Sequence, residues 1–165
     1  MKHKKGFSIV ELLIVIAIIG VALSIASLSW QAYVTKANLN SGARKVASDL
    51  TKYRTRAIGE GRVYTITFNA TNQYHISAPA HDNLAAVNMN ETPIESSRAH
   101  DAIIENSNFT GCQVVRMTPR GLTEHCAVSP VTPNDTGTVT LKNSREVTAT
   151  ITLNSRGTVD VTFTN

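Results

Sequence analysis

An uncharged stretch from Leu12 to Tyr33 constrains the fold more than any other feature of the sequence. Residues 12–28 within it are apolar apart from one glycine and two serines. A helix needs roughly 20 such residues to cross the hydrocarbon core of a bilayer. Lysines precede the stretch, and positive charges that flank a first span stay on the cytoplasmic side. The sequence therefore predicts a single membrane-spanning helix with a cytoplasmic N-terminus, followed by an exported domain.

One carboxylate, Glu11, lies at the start of this apolar helix. A charged side chain inside a bilayer costs several kcal/mol unless it has a partner, so Glu11 is a candidate functional residue. If the chain were cut between Gly6 and Phe7, the new amino terminus would be a cation in the same apolar layer. The carboxylate of a neighbouring copy could neutralise that cation and fix the register of packed helices. The alternative is an interfacial Glu11 whose carboxylate extends to the lipid headgroups.

An ordinary secretory signal does not explain this segment, because such a signal has a shorter apolar core followed by a cleavage site of small residues. The stretch KKGFSIVELLIVIAIIGVAL instead resembles the class III leader of type IV pilins and type II secretion pseudopilins. The resemblance implies that a prepilin peptidase removes residues 1–6 as a leader, cuts after Gly6 and N-methylates Phe7. It also implies that Glu11 helps the subunit to dock into a growing filament. The implied partners are other pilin or pseudopilin subunits and an inner-membrane assembly platform.

One position departs from the pattern of the abundant, fibre-forming pilins that the leader resembles. Those pilins usually carry a proline at the position of Leu28, where it breaks or softens the helix. This chain has SIASLSW there instead, which favours a minor subunit. The presence of Glu11 also distinguishes the chain from the pseudopilin type that lacks this glutamate and sits at the extreme tip.

The helix is predicted to continue beyond the membrane. Apolar residues recur at three- and four-residue steps, as on one face of an amphipathic helix. They are Leu39, Ala43, Val46, Leu50, Tyr53 and Ala57. Gly59 and Gly61 are expected to end the helix. We therefore expect a transmembrane and filament-core segment over residues 7–35 and an amphipathic segment over residues 36–60, the alternative being two helices with a kink near residues 38–42.

After Gly61 the hydrophobic period changes from helical to alternating. The segment RVYTITFNATNQYHISA predicts a hairpin, and CQVVRMTPRGLTEHC predicts a strand, a turn at residues 119–121 and a short returning element. Three further segments, GTVTLKN, EVTATITLN and GTVDVTFTN, predict a closing meander whose turns contain the two NSR sequences. Residues 79–101 show no sustained period and are interpreted as a long loop.

A long helix followed by about six short strands predicts an α+β protein. Residues 61–165 would form a β-rich periplasmic head that packs on the outer half of the helix. The length and the closing VTATITLNSRGTVDV resemble the GspH/FimT group of minor pseudopilins and minor pilins. The resemblance implies an inner-membrane subunit that helps to initiate or cap a pilus-like filament, in a type II secretion system or a type IV pilus, driven by a cytoplasmic ATPase.

Two cysteines, Cys112 and Cys126, occur in the chain. An even number of cysteines in an exported domain suggests one disulfide. The bond would close a 15-residue loop, for which chain entropy gives about 3 kcal/mol. The alternative is two free thiols. Zinc is not indicated, because no CxxC or HxxxH spacing accompanies the cysteines.

The sequence predicts neither an enzyme nor a cofactor, since it contains no GxSxG, no phosphate-binding glycine loop and no HExxH. Its basic residues concentrate in the predicted amphipathic helix and just after it, where residues 36–62 hold seven basic and two acidic side chains. The basic helix face consists of Arg44, Lys45, Lys52, Arg54 and Arg56. Two interpretations stay open: a solvated or subunit-facing surface, or a surface that contacts anionic lipid headgroups or DNA.

DNA binding is the alternative function, because some FimT-type minor pilins that the chain resembles bind DNA during uptake. They do so through an arginine-rich C-terminal tail with a Gly-Arg-x-Arg pattern. The matching stretch here is NSRGTVDVTFTN, in which Arg156 precedes the glycine and Asp160 follows it. Only Arg145 and Arg156 remain as candidate DNA contacts. Residues 63–165 hold six basic and nine acidic side chains, so a uniform nucleic-acid-binding surface is not indicated.

Overall fold

A computed structural model describes residues 8–69, 73–91, 93, 103–108, 113–125 and 136–164, without the side chains of residues 25–29, 106, 108 and 125. Its first element is helix α1, Ile9–Glu60. The chain divides into two units, Met1–Val34 and Thr35–Asn165. The backbone of α1 is helical through Leu28 and through residues 38–42. The alternative of two helices separated near residues 38–42 is therefore not supported.

The first unit contains the apolar part of α1. Ser8 precedes the helix, and its Oγ accepts a hydrogen bond of 3.3 Å from the backbone N–H of Val10. Each Ile, Leu and Val side chain from Ile9 to Leu23 is exposed. Among the described side chains, no helical stretch is long and apolar enough to cross a membrane. The membrane-spanning helix over residues 7–35 stays a prediction.

The second unit contains the rest of α1 and nine described strands. The strands are β1 Tyr64–Asn69, β2 Gln73–Ala78, β3 Val87–Glu91, β4 Ile103–Asn108, β5 Val114–Met117, β6 Thr123–His125, β7 Thr136–Lys142, β8 Thr148–Asn154 and β9 Val159–Thr164. They form a five-stranded sheet in the order β3-β2-β1-β5-β6 and a four-stranded sheet in the order β4-β7-β8-β9. The pairings within both sheets are antiparallel.

One hydrophobic core joins the second half of α1 to both sheets. The predicted apolar stripe of the helix is buried along its whole length, with Leu39, Ala43 and Ala57 fully inaccessible. Alternate residues of β1, β7 and β8 complete the core from the sheets. The three-and-four spacing in the helix and the period of two in the strands place these faces against each other. The predicted α+β class is confirmed.

The boundaries of α1 and the hairpins follow the sequence signals. Helix α1 ends at Glu60, before Gly61 adopts a left-handed φ of 66°. The hairpin β1–β2, the pair β5–β6 and the meander β7–β8–β9 all lie where alternation predicted them. The interpretation of residues 79–101 as a long loop was wrong at Val87–Glu91, because these residues form β3 and pair with β2. Strand β4 was also not predicted, so the described residues contain more strands than the expected six.

The two turns of the closing meander are built alike. Asn143 begins the β7–β8 turn and Asn154 begins the β8–β9 turn. In each turn the asparagine Oδ1 accepts hydrogen bonds from the backbone N–H groups two and four residues further on, at 3.0 Å in the first turn and at 3.1 and 2.9 Å in the second. The fourth residue is left-handed in both turns: Glu146 has a φ of 66° and Gly157 a φ of 78°. These are three-residue hairpin loops, in which a turn is followed by a left-handed residue.

Candidate assembly site

Glu11 lies in the first turn of α1, with its side chain exposed. The N-terminal end of a helix carries partial positive charge, which favours a carboxylate in the first turn. Ser8 and Glu11 also have the S-x-x-E spacing of a capping box, in which a serine caps the helix three residues before a glutamate. This spacing is a local sequence signal for the start of the helix. Gly6 and Phe7, the predicted cleavage site, lie outside the described residues.

Part of the basic helix face of α1 is engaged within its own unit. Lys45 Nζ lies 2.8 Å from a carboxylate oxygen of Glu91 and 3.3 Å from one of Asp49. The same ammonium donates to the Tyr74 hydroxyl, which in turn donates to Asp49. Burial alone would lower the pKa of Lys45, but its hydrogen bond to Glu91 and the two carboxylate charges raise that pKa. Burial and the hydrogen bond to Asp49 likewise raise the pKa of Tyr74.

A buried arginine fastens the end of α1 to the five-stranded sheet. The guanidinium of Arg62, whose residue is 3% exposed, lies 2.7 Å from a carboxylate oxygen of Glu60. It also donates to the backbone carbonyls of Pro79 at 3.1 Å and Ala85 at 2.6 Å, and to the Tyr64 hydroxyl at 2.7 Å. The guanidinium therefore joins the helix end, β1 and the segment after β2.

Glu60 is the acidic centre of this network. The Tyr64 hydroxyl donates to one of its oxygens, and Arg56 Nε donates to the other at 2.8 Å. The hydrogen bond from Tyr64, followed by those from Arg56 and Arg62, lowers the pKa of Glu60 to about 2, against the opposing effect of burial. The carboxylate is consequently ionised throughout the physiological pH range. Arg56 of the basic helix face is engaged within its own unit.

Arg54 occupies a space between two turns. Its Nε donates to the backbone carbonyl of Gly121 at 2.8 Å, in the turn between β5 and β6. A Cβ atom at Gly157, in the β8–β9 turn, would lie 2.1 Å from Arg54 Nε and 2.4 Å from its Cδ. Both glycines also have left-handed φ angles. The two Arg-Gly sequences of the chain thus hold a third arginine between their backbones.

The structure does not bring the two candidate DNA contacts together. Arg145 lies in the β7–β8 turn and Arg156 in the β8–β9 turn, and both are exposed. Because β8 runs between these turns and has seven residues, they are separated by about 20 Å at roughly 3.3 Å per residue. The β8–β9 turn that carries Arg156 lies beside the β5–β6 turn that carries Arg120, since the Thr123 N–H donates to the Ser155 carbonyl at 2.9 Å. Sequence spacing gave no signal of this grouping.

The predicted disulfide receives no structural description. Cys112 and Cys126 lie outside the described residues, so the disulfide stays a prediction. Within the residues that are described, no group of three or more His, Cys, Asp or Glu side chains could hold a metal ion.

The N-terminal sequence matches a known protein family. Residues 1–27 match the family described as the prokaryotic N-terminal methylation motif. No curated protein matches the chain significantly. Among solved structures, the chain is similar to the minor pseudopilin EpsH from the type 2 secretion system of Vibrio cholerae, with a TM-score of 0.54 and 10% sequence identity. The match covers 76% of this chain and 97% of the EpsH chain.

The chain carries a prokaryotic N-terminal methylation motif and has a fold similar to that of EpsH. The predicted class III leader agrees with the methylation motif, and the predicted helix followed by antiparallel sheets agrees with the fold of EpsH. At this sequence identity the structural likeness concerns the fold.

Proposed function

We propose that the chain is a minor pseudopilin or minor pilin, a structural subunit that enters a pilus-like filament through the first part of α1. The observation that carries the proposal is the methylation motif over residues 1–27, which leads into a helix whose large apolar side chains from Ile9 to Leu23 are exposed. A soluble domain rarely exposes so continuous an apolar surface unless a membrane or another protein covers it. A lipid bilayer before assembly and packed helices after assembly would each cover it.

Removal of residues 1–6 would create a positive charge at the start of this helix, which can pair with the carboxylate of Glu11. The cut after Gly6 would free the amine of Phe7, which is N-methylated and stays cationic. Glu11 of an adjacent subunit is the complementary anion. A carboxylate transferred alone into an apolar layer is strongly unfavourable, whereas a carboxylate that faces an ammonium is tolerated. The pair therefore favours one axial register between neighbouring helices.

Several features support a minor, non-enzymatic subunit. The motif and the fold are those of structural pilin-like subunits. Leu28 stands where abundant pilins usually have proline, and α1 has a helical backbone there. The chain would help to initiate or cap a short filament of a type II secretion system or a type IV pilus, with the prepilin peptidase and the inner-membrane assembly platform as partners.

Intact-mass measurement tests the processing step. The chain is produced in a host that has a prepilin peptidase and is purified from its membranes. We expect a mass that lacks residues 1–6 and includes one added methyl group. Gly6→Ala should keep the leader attached. A wild-type mass that retains the first methionine and its lysines would refute the proposal.

Filament incorporation tests the role of Glu11. We expect Glu11→Val to reach the membrane but to be depleted from sheared or pelleted filaments. Glu146→Gln is the matched control, because it removes an exposed carboxylate from a turn in the second unit. Normal incorporation of Glu11→Val would show that the charge pair is dispensable.

DNA capture is a second candidate function, favoured by one observation. The turns that carry Arg120 and Arg156 both contact Arg54, so three arginines converge on one end of the second unit. A gel shift with duplex DNA at two salt concentrations tests this candidate, since phosphate contacts weaken as salt rises. Arg120→Ala and Arg156→Ala should each weaken a genuine complex, whereas Arg145→Ala at the other end of β8 should not. An absence of binding at low salt would eliminate DNA capture.

A further inference from the structure

Two aromatic residues follow the apolar part of α1. Trp30 and Tyr33 are 69% and 70% exposed, and their ring centroids are 6.4 Å apart. Residues three apart in a helix lie on the same face. Among the described residues, neither the indole N–H nor the phenolic hydroxyl has a hydrogen-bond partner. Both side chains thus combine an apolar ring with an unused polar group, which is the chemistry of a membrane–water interface.

The position of this pair along α1 agrees with the thickness of a bilayer. From Ile9 to Trp30 the helix rises about 31 Å at roughly 1.5 Å per residue. The hydrocarbon core of a bilayer is about 30 Å thick. The first charged residue after the uncharged stretch is Lys36, which follows Tyr33 by less than one turn. A helix that enters the hydrocarbon near Ile9 would therefore leave it close to Trp30.

We propose that Trp30 and Tyr33 form an interfacial anchor that binds the glycerol and headgroup region of the outer leaflet of the inner membrane. The anchor would fix the depth of α1 before assembly, and so hold Glu11 at a defined height for the incoming amine of a neighbour. The inference rests on the proposed function, because it needs a membrane-anchored subunit with a cytoplasmic N-terminus. A purely apolar neighbouring helix is a poorer occupant, since it would leave both polar groups unpaired.

The chain contains a single tryptophan, so the fluorescence of the unmodified protein reports the depth of Trp30. The full chain is reconstituted into vesicles of phosphatidylethanolamine and phosphatidylglycerol. In parallel samples the lipids carry bromine either near the glycerol or near the end of the acyl chains. We expect stronger quenching by the shallow bromines, and weak quenching by a water-soluble quencher. Tyr33→Leu should shift the preference towards the deep bromines, whereas Val21→Leu, a conservative change on the same helix, should not.

The outcomes separate the two proposals. If the chain floats with the vesicles but Trp30 is quenched equally or more strongly by the deep bromines, the anchor is refuted and the membrane-anchored subunit stands. Strong quenching from water without lipid quenching also refutes the anchor. If the chain does not float with vesicles at all, both the proposed function and the anchor are refuted.

Discussion

Gly157 offers the sharpest test of how the second unit is held together. Gly157→Ala adds one methyl group at a residue whose φ is 78°. The new Cβ would lie 2.1 Å from Arg54 Nε, so the arginine must move away. Its hydrogen bond of 2.8 Å to the Gly121 carbonyl would then break. The substitution is chemically small but affects two turns and the helix at once.

The expected cost has two parts. A non-glycine residue in the left-handed conformation costs about 1–2 kcal/mol. Loss of a hydrogen bond from a charged donor costs about 1.5–3 kcal/mol. The lower entropy of the unfolded alanine chain offsets about 0.4–1 kcal/mol of this sum. We expect Gly157→Ala to lower the free energy of unfolding by about 2–4 kcal/mol, measured by urea denaturation of the Thr35–Asn165 unit.

Two other glycines supply the controls. Gly61 has a φ of 66° and open space around its Cα, so Gly61→Ala should show the backbone cost alone. Gly59 lies within α1 and also has open space, so Gly59→Ala should stabilise by about 0.5–1 kcal/mol. In an Arg54→Ala background, Gly157→Ala should cost no more than Gly61→Ala. Equal costs of Gly157→Ala and Gly61→Ala in the native background would refute the argument.

Three further predictions concern charged residues of the second unit. The pKa of Glu60 falls from 4.5 to about 2 on folding. The ionised carboxylate therefore stabilises the fold above pH 4.5, and this stabilisation is lost as the pH falls towards 2. Over this pH range the unfolding free energy of Glu60→Gln should decline less than that of the wild type. Arg62→Met should lower the melting temperature far more than Arg145→Met, because Arg62 is buried with carbonyl and carboxylate partners whereas Arg145 is exposed; equal losses would refute its structural role. Glu146→Gly should raise the unfolding free energy by about 0.5–1 kcal/mol, because glycine tolerates the left-handed φ of this position. The exposed ion pair between Glu146 and Lys142, which the substitution removes, contributes little. A loss of stability would contradict this expectation.

The sequence predicted which face of the helix is buried, because the spacing of apolar residues along the helix determines that face. Leu39, Val46 and Leu50 recur at helical spacing, and burial of that stripe needs only an apolar surface opposite. The β7–β8–β9 meander was equally predictable, since alternation specifies the strands and two turns that begin with asparagine specify their connections. In each case residues close in the sequence carry the information.

Strand β3 was not predicted because its sequence, VNMNE, alternates over only a few residues and contains Asn and Glu, which are depleted in strands. It is an edge strand with mostly exposed side chains, so neither of its faces has to be apolar. Its position is set by backbone pairing with β2, in which Ile76 lies opposite Met89. Pairing of this kind leaves little trace in the side chains.

The roles of individual basic residues were also inaccessible from the sequence. From the sequence, Arg54 was assigned to the basic helix face, and Arg62 to the segment that follows the helix. Their partners are backbone carbonyls at Gly121, Pro79 and Ala85, which are distant in the chain. A carbonyl carries no sequence signal, so such contacts depend on the completed fold. The count of basic residues therefore overestimated the cationic surface available to a partner.

Glu11 has two candidate roles, one at the start of its own helix and one in a contact with a neighbouring subunit, and the two roles lead to different expected results. In the S-x-x-E spacing, Ser8 caps the helix and Glu11 lies near its partly positive end. Ser8→Ala should weaken the cap by about 1 kcal/mol but leaves the carboxylate intact, whereas Glu11→Gln removes the charge and keeps the shape. If the proposed pair with a neighbour's amine drives docking, immunoblots of sheared filaments should show depletion of Glu11→Gln and near-normal levels of Ser8→Ala. Equal depletion of both variants would mean that Glu11 acts through its own helix, and the intersubunit charge pair would have to be abandoned.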